Sequence, residues 1–197
     1  MSLGPGPAAL PPGYPEEYRQ ETTLHDGRRV LIRPILPSDA PELARAITTA
    51  DPDTLRRRFL GGPPRVTPEL MERLTVLDYQ QRFALVAFDT VTGRGVAVAR
   101  YELTGEGLAD IAVAVQPGWR SVGLATVLIL LLARAATERG IHTFSASYLA
   151  ENRPVAALVA DAKGLGSQFI EQGIADFSFA LDRPATKPPL TDGTGGK

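Results

Sequence analysis

The spacing of apolar residues along this chain changes period several times. Strand-like alternation marks Glu21 to Leu24 and Arg28 to Pro34. The His25-Asp26-Gly27 between them carries an Asp-Gly pair suited to a tight turn, so the stretch predicts a hairpin. Ser38 then stands where it can cap a helix reaching about Ala50, with Asp39 and Glu42 near its positive end. Asp51-Pro52-Asp53 predicts the start of a second, short helix carrying Leu55, Phe59 and Leu60, which Gly61-Gly62-Pro63-Pro64 ends. Thr67-Pro68-Glu69 predicts a third, with proline at its first position, running to about Leu77. Period-two runs return at Phe83 to Asp89, Gly95 to Leu103 and Asp110 to Val115, with a turn near Thr92-Gly93 and a loop over Thr104 to Leu108.

A long apolar helix is expected after Gly123, stopping at Arg139-Gly140. Leu124, Val127, Leu128, Ile129, Leu131 and Leu132 cover so much of it that a central core position is predicted. Thr143 to Leu149 predicts a strand and Arg153 to Lys163 a helix. Ser167 to Gly173 and Ala175 to Leu181 predict a closing hairpin. Strands and helices alternate in the middle while hairpins flank them. That order predicts an α+β, mixed fold: a mostly antiparallel sheet with one parallel crossover, rather than a doubly wound parallel sheet. Residues 1–17 and 184–197 are rich in Pro and Gly and read as tails around a single domain over 18–183.

Composition narrows the chemistry. The 197 residues contain no cysteine and only two histidines, His25 and His142. Thiolate or multi-imidazole metal sites and cysteine nucleophiles are thereby excluded, and no metal is expected. Net charge is −1, with 18 arginines against three lysines, so no global basic field points to nucleic acid. The start of the chain lacks the cationic and apolar segments of a signal peptide. The longest apolar run, Leu124 to Ala133 interrupted by Thr126, is too short to span a bilayer. A cytoplasmic protein without membrane or nucleic-acid partners, monomeric or homodimeric, is the expectation.

The informative segment is Asp110-Ile-Ala-Val-Ala-Val-Gln-Pro-Gly-Trp-Arg-Ser-Val-Gly-Leu-Ala-Thr126. A β-rich run stops at Pro117-Gly118, a turn of small residues follows, and the long helix begins. The first N–H groups of a helix have no intrahelical partners, and the peptide dipoles add partial positive charge there. Gly123 and Ala125 let an anion approach that backbone closely, so the segment reads as a main-chain cradle for a diphosphate. Two commoner cradles are excluded. No internal glycine is followed by lysine, as a Walker loop needs, and Gly164-Leu165-Gly166 lacks the third glycine of a dinucleotide fingerprint.

Arg120-Ser-Val-Gly123-Leu-Ala125 resembles the Gln/Arg-x-x-Gly-x-Gly/Ala motif of the GNAT N-acetyltransferase superfamily. Trp119 before it, Arg139-Gly140-Ile141 at the helix end and Glu151-Asn152 at the end of the next strand are similar to the family's flanks. Asp26 to Ile35, Ser38-Asp39-Ala40 and Leu77 to Ala87 further resemble the acetyltransferase module of bacterial Pat-like protein-lysine acetyltransferases. The likeness covers roughly residues 24–182.

What the resemblance implies is a GNAT fold. Its mostly antiparallel sheet of six to seven strands has a splayed parallel pair and helices on both faces, and acetyl-CoA is the cosubstrate. The strand through Val113, Ala114 and Val115 is then expected to hold the pantetheine arm. The turn Arg120, Ser121, Val122, Gly123, Leu124, Ala125 and Thr126 is expected to hold the diphosphate, with Asn152 nearby. The amine acceptor is a protein lysine or, alternatively, a small amine or amino acid. A CoA-binding sensor that has lost its chemistry is a further alternative.

A lysine ammonium has a pKa of about 10.4 and must lose a proton before it attacks. Asp110 matches the position where the family often has a glutamate and is the candidate base, with Glu102 as the second candidate. A backbone N–H of the same strand is expected to polarise the thioester carbonyl. Two departures stand out. The often basic third position of the motif is Val122, and the tyrosine that many relatives carry on the helix after Glu151-Asn152 is missing. Tyr148 is a substitute proton donor by proximity only.

Overall fold

The β1–β2 hairpin opens the sheet. In the computed structural model, which describes residues 10–60, 64–152, 155–156 and 166–181, β1 (Gln20–Thr23) and β2 (Arg29–Pro34) pair antiparallel about the Asp26-Gly27 turn. Gly27 takes the positive φ of 83° that such a turn requires. The predicted tail at 184–197, the Gly61-Gly62-Pro63 stop and most of the predicted helix 153–163 lie outside the described residues.

After β2 come α1 (Ala40–Thr49), α2 (Pro52–Phe59) and α3 (Pro68–Thr75), then β3 (Arg82–Asp89), β4 (Gly95–Gly105) and β5 (Leu108–Val115). The long helix α4 (Leu124–Glu138), β6 (Thr143–Leu149), β7 (Gly166–Glu171) and β8 (Ile174–Ala180) follow. α2 and α3 begin where predicted, each under a side-chain cap: Asp51 accepts from the Thr54 N–H, and Thr67 from the Leu70 N–H. The predicted Ser38 cap does not form. Pro37–Asp39 form a 3-10 turn that leads directly into α1, so the cap position falls on Asp39. No loop spans 104–108 either; β4 and β5 run on to a two-residue turn at Glu106-Gly107, where Gly107 has φ 65°.

The sheet has eight strands in the order β1-β2-β3-β4-β5-β6-β8-β7, antiparallel throughout except for β5 and β6. The count exceeds the six to seven implied by family resemblance. The excess lies at the edge, where the four-residue β1 pairs only with β2.

Alternation along β3 shows the two layers. Phe83, Leu85 and Ala87 face the cluster built on Leu124, Leu128 and Leu132 of α4. Ala84 and Val86 face Ile35 and Leu43 of α1. Burying each of the α4 leucines stabilises the fold by roughly 1.5–3 kcal/mol. The helix is less enclosed than its all-round apolar sequence predicts: Leu130 is left 63% exposed. On the other face Glu42 ties α1 to the start of β4, accepting the Gly95 N–H at 2.8 Å. The Arg45 guanidinium beside it outweighs desolvation and holds its carboxyl down to about 2.

A row of rings crosses the middle of the α4 side. Tyr18 lies 5.3 Å from Phe83, Phe83 5.6 Å from Tyr101, Tyr101 6.1 Å from Phe144, and Phe144 5.8 Å from Phe179. These rings join β3, β4, β6 and β8 at the level where β5 and β6 are still paired, and so clamp one end of the parallel pair.

Candidate functional site

β5 and β6 are hydrogen-bonded only at Leu108↔Thr143, Ala109↔Phe144 and Asp110↔Ser145. Beyond Asp110 they part. β5 stays with β4 as far as Val115↔Ala97, and β6 stays with β8 as far as Leu149↔Ile174. The ring clamp holds the closed end while each strand is retained by its outer neighbour at the open end. The result is a V-shaped gap whose β5 wall carries Val113, Ala114 and Val115, all half-buried. The edges facing the gap have no strand partner there, so main-chain groups along them can meet an extended molecule.

The wide end of the V meets the start of α4. After the short helical turn Pro117–Trp119, Ser121 (φ 60°) and Gly123 (φ 87°) are both left-handed and bring the chain sharply round into the helix. The first bond within α4 runs from the Val127 N–H to the Gly123 carbonyl, at 3.1 Å. The N–H groups of Leu124, Ala125 and Thr126 therefore have no acceptor in the helix, and they lie at the positive end of its dipole. This is the geometry of an anion cradle.

Arg120 serves as a brace in this turn. Its guanidinium donates to the Val115 carbonyl at 3.2 Å and to the Thr54 hydroxyl at 2.8 Å. Thr54 in turn donates to Asp51, whose carboxyl sits below its usual range chiefly because of that bond. Two residues further along α2, Arg56 pairs with Glu151, just past β6. Thus α2 is fastened at both sides of the gap and crosses its mouth.

The narrow end carries the carboxylates. Asp110 and Glu102 are direct cross-strand neighbours and both are exposed. Glu102 also faces Arg73 of α3 at 3.5 Å. By strand alternation Asp110, Ala112 and Ala114 share the sheet face turned toward α1–α3. On that face a cavity of about 400 Å³ lies under α1 and α2, walled by Leu43, Ile47, Leu55, Phe59, Val98 and Ala114, with Arg100 among its polar residues. The cavity and the carboxylates therefore open onto the same side of the gap.

Tyr148 is buried beside Ala175 and Phe177, and burial raises its pKa. Its hydroxyl accepts from Gln168 Nε2 at 2.8 Å, which leaves its own proton for another acceptor. Asn152 is buried at the end of β6, its N–H bonded to the Leu149 carbonyl at 2.7 Å. Among the described residues, no group of three His, Cys, Asp or Glu side chains is placed to hold a metal ion, and no helix is long and apolar enough to cross a membrane.

Residues outside the predicted set also belong to the site. Thr54 and Arg56 of α2, the cavity beneath it and His25 of the β1–β2 turn all meet the gap or the cradle through contacts distant in sequence. A single chain's pattern holds no signal for such pairings.

Known proteins share this arrangement. The family model for the acetyltransferase (GNAT) domain matches residues 29–163, more than half of the chain. An acetyltransferase of Pseudomonas aeruginosa is 34% identical over 134 residues, which cover 66% of this chain and 72% of that protein. The acetyltransferase Pat of Mycolicibacterium smegmatis is 25% identical over 163 residues, 82% of this chain but only 48% of that protein, so the chain spans about half its length. Among solved structures, the GNAT domain of S. lividans PAT superposes with a TM-score of 0.76 at 29% identity, covering 85% of this chain and 99% of that one. The split parallel pair, the open helix start beside it and these matches lead to one conclusion: the chain belongs to the GNAT acetyltransferase family.

Proposed function

We propose that this enzyme moves an acetyl group from acetyl-CoA to a primary amine, a protein lysine, by direct attack within a ternary complex, and that it works in the cytoplasm. The observation that carries the proposal is the one-sided opening of β5 from β6 next to uncommitted amides at the start of α4. Acetyl-CoA supplies the acetyl group as an activated thioester. The N–H groups of Leu124, Ala125 and Thr126 suit its diphosphate, with Ser121, Val122 and Gly123 shaping the approach. Val113, Ala114 and Val115 suit its pantetheine arm, and Asn152 closes the far side.

Asp110 takes a proton from the incoming ammonium, directly or through water, and leaves the nitrogen lone pair free to attack. A β5 N–H beyond Asp110 steadies the charge that develops on the carbonyl oxygen. The sulfur needs a proton as the C–S bond breaks, and Tyr148 is the candidate donor on the β6 side. The acceptor reaches the reacting carbon from the cavity face, where Asp110 and Glu102 stand. The resemblance of Asp26 to Ile35 and Leu77 to Ala87 to Pat-like protein-lysine acetyltransferases supports a protein lysine over a small amine.

The test is to incubate the protein with acetyl-CoA and a panel of proteins and small amines, measuring release of free CoA thiol. Turnover with a protein acceptor supports the lysine assignment. Turnover only with small amines replaces it, and CoA binding with no turnover on any acceptor makes the protein a binding module instead.

The diphosphate assignment has its own prediction. Gly123 holds a left-handed φ of 87°, and a Cβ there would meet the His25 ring at 3.0 Å. A side chain costs roughly 1–2 kcal/mol in that backbone region, and the ring must also move. Gly123→Ala is therefore expected to weaken CoA binding about five- to thirty-fold in a titration calorimeter. Unchanged affinity would remove this turn from the binding site.

A further inference from the structure

The β1–β2 turn docks on the cradle. Leu24 is buried in the core, and the His25 N–H donates to the Val122 carbonyl at 3.2 Å, so the next side chain is held in place although it is exposed. The polar edge of the His25 ring faces the cradle. Its Cε1, Nε2 and Nδ1 lie 3.0, 3.0 and 3.3 Å from the point where a Cβ on Gly123 would stand. Both ring nitrogens thus lie beside the residue that precedes the open amides of α4, and among the described residues no hydrogen bond to either is found.

Among the described residues, the cations nearest the turn are otherwise committed. Arg120 binds Val115 and Thr54. Arg28 is paired with Asp26 at 2.6 Å and lies over the Trp119 ring at 4.0 Å. The motif's own third position, Val122, carries no charge.

We infer that His25 is a cofactor-binding residue, donating a ring N–H to the diphosphate from outside the motif. In space it supplies the side-chain donor that Val122 lacks in sequence. It explains why residue 123 must be glycine on two counts, the left-handed backbone and the ring that occupies the space of a side chain. An imidazole N–H beside a diphosphate is a charge-assisted donor, stronger than a neutral pair. The assignment holds only if the turn is the diphosphate site proposed above, and the experiment separates the two.

Calorimetric titrations of wild type, His25→Ala and His25→Gln with CoA, dephospho-CoA and pantetheine decide it. Dephospho-CoA keeps the diphosphate and lacks the 3′-phosphate; pantetheine lacks both. His25→Ala is expected to bind CoA and dephospho-CoA about ten-fold or more weakly, with His25→Gln, which keeps an N–H donor, in between. Pantetheine binding should not change between wild type and variants, and thermal midpoints should match because the side chain is exposed. Equal affinities in all three proteins would overturn the role of His25 while leaving the diphosphate site intact. Loss confined to CoA would move the contact to the 3′-phosphate and overturn the assignment as stated. A wild type that prefers neither phosphorylated ligand over pantetheine would overturn the diphosphate site itself, and His25 with it.

Discussion

Asp110→Ala is expected to lower turnover by about 10² to 10⁴-fold, the usual worth of a positioned general base, while CoA affinity changes less than about three-fold. The separation follows from position. Asp110 is the last β5 residue paired to β6, at the closed end of the V, whereas the open amides start at Leu124 at its wide end. Its other neighbour sharpens the prediction. Glu102 lies directly opposite on β4, and like charges across an antiparallel pair destabilise by a few tenths of a kcal/mol to about 1 kcal/mol. Removing either carboxylate should then leave the thermal midpoint unchanged or slightly raised. Activity lost without stability lost is what a functional carboxylate shows and a structural one does not. Glu102, steadied by Arg73, is the comparison: Glu102→Ala should cost less than ten-fold in turnover. Should Asp110→Ala retain full turnover while Glu102→Ala loses it, the two roles exchange.

What was legible in the sequence was local. The Asp26-Gly27 turn, the helix starts at Asp51 and Thr67 and the Gly140 stop, with φ 74°, each depend on residues within a few positions of one another, so the pattern sufficed. Thr143–Leu149 was bounded correctly because apolar alternation and a preceding helix stop agree there. The strand, turn and helix start from Asp110 to Thr126 were legible for the same reason, since they are contiguous.

One local reading failed and another was incomplete. Ser38 has the chemistry of a cap, yet Asp39, drawn to Arg33, sets the entry into α1. His25 reads as a turn residue at the surface, which it is, but its contact is with Gly123, 98 positions on by their numbers. The cavity is a property of how α1 and α2 lie over β4 and β5, and so has no signature in any one segment.

The same Arg33–Asp39 pair sets the largest expected loss of stability. The two side chains are 13% and 9% exposed and meet through two bonds, Arg33 Nη1 to Asp39 Oδ2 at 2.8 Å and Nη2 to Oδ1 at 2.6 Å. Asp39 also accepts the Leu36 N–H at 2.7 Å. Burial alone would lower the guanidinium pKa, but Asp39 outweighs it and the group stays protonated. Asp39→Ala therefore leaves a buried charge without its counter-ion, facing the Pro34 carbonyl at 3.0 Å, the Tyr14 hydroxyl and the face of Phe88 at 4.8 Å. Breaking a buried pair from one side costs about 3–5 kcal/mol, which for a domain of this size corresponds to a fall in thermal midpoint of about 6–20 °C.

Replacing both partners, Arg33→Met with Asp39→Leu, should recover most of that loss, because no charge remains to be solvated. A shortfall of about 1 kcal/mol is expected to persist from the Leu36 N–H left without its acceptor. Calorimetric unfolding of the three proteins decides it, and an Asp39→Ala midpoint within 2 °C of wild type would show that water already screens the pair. Asp39 is also part of the cavity wall. The double variant, stable but with α1 entered differently, should therefore raise KM for the acceptor while leaving CoA affinity as it was.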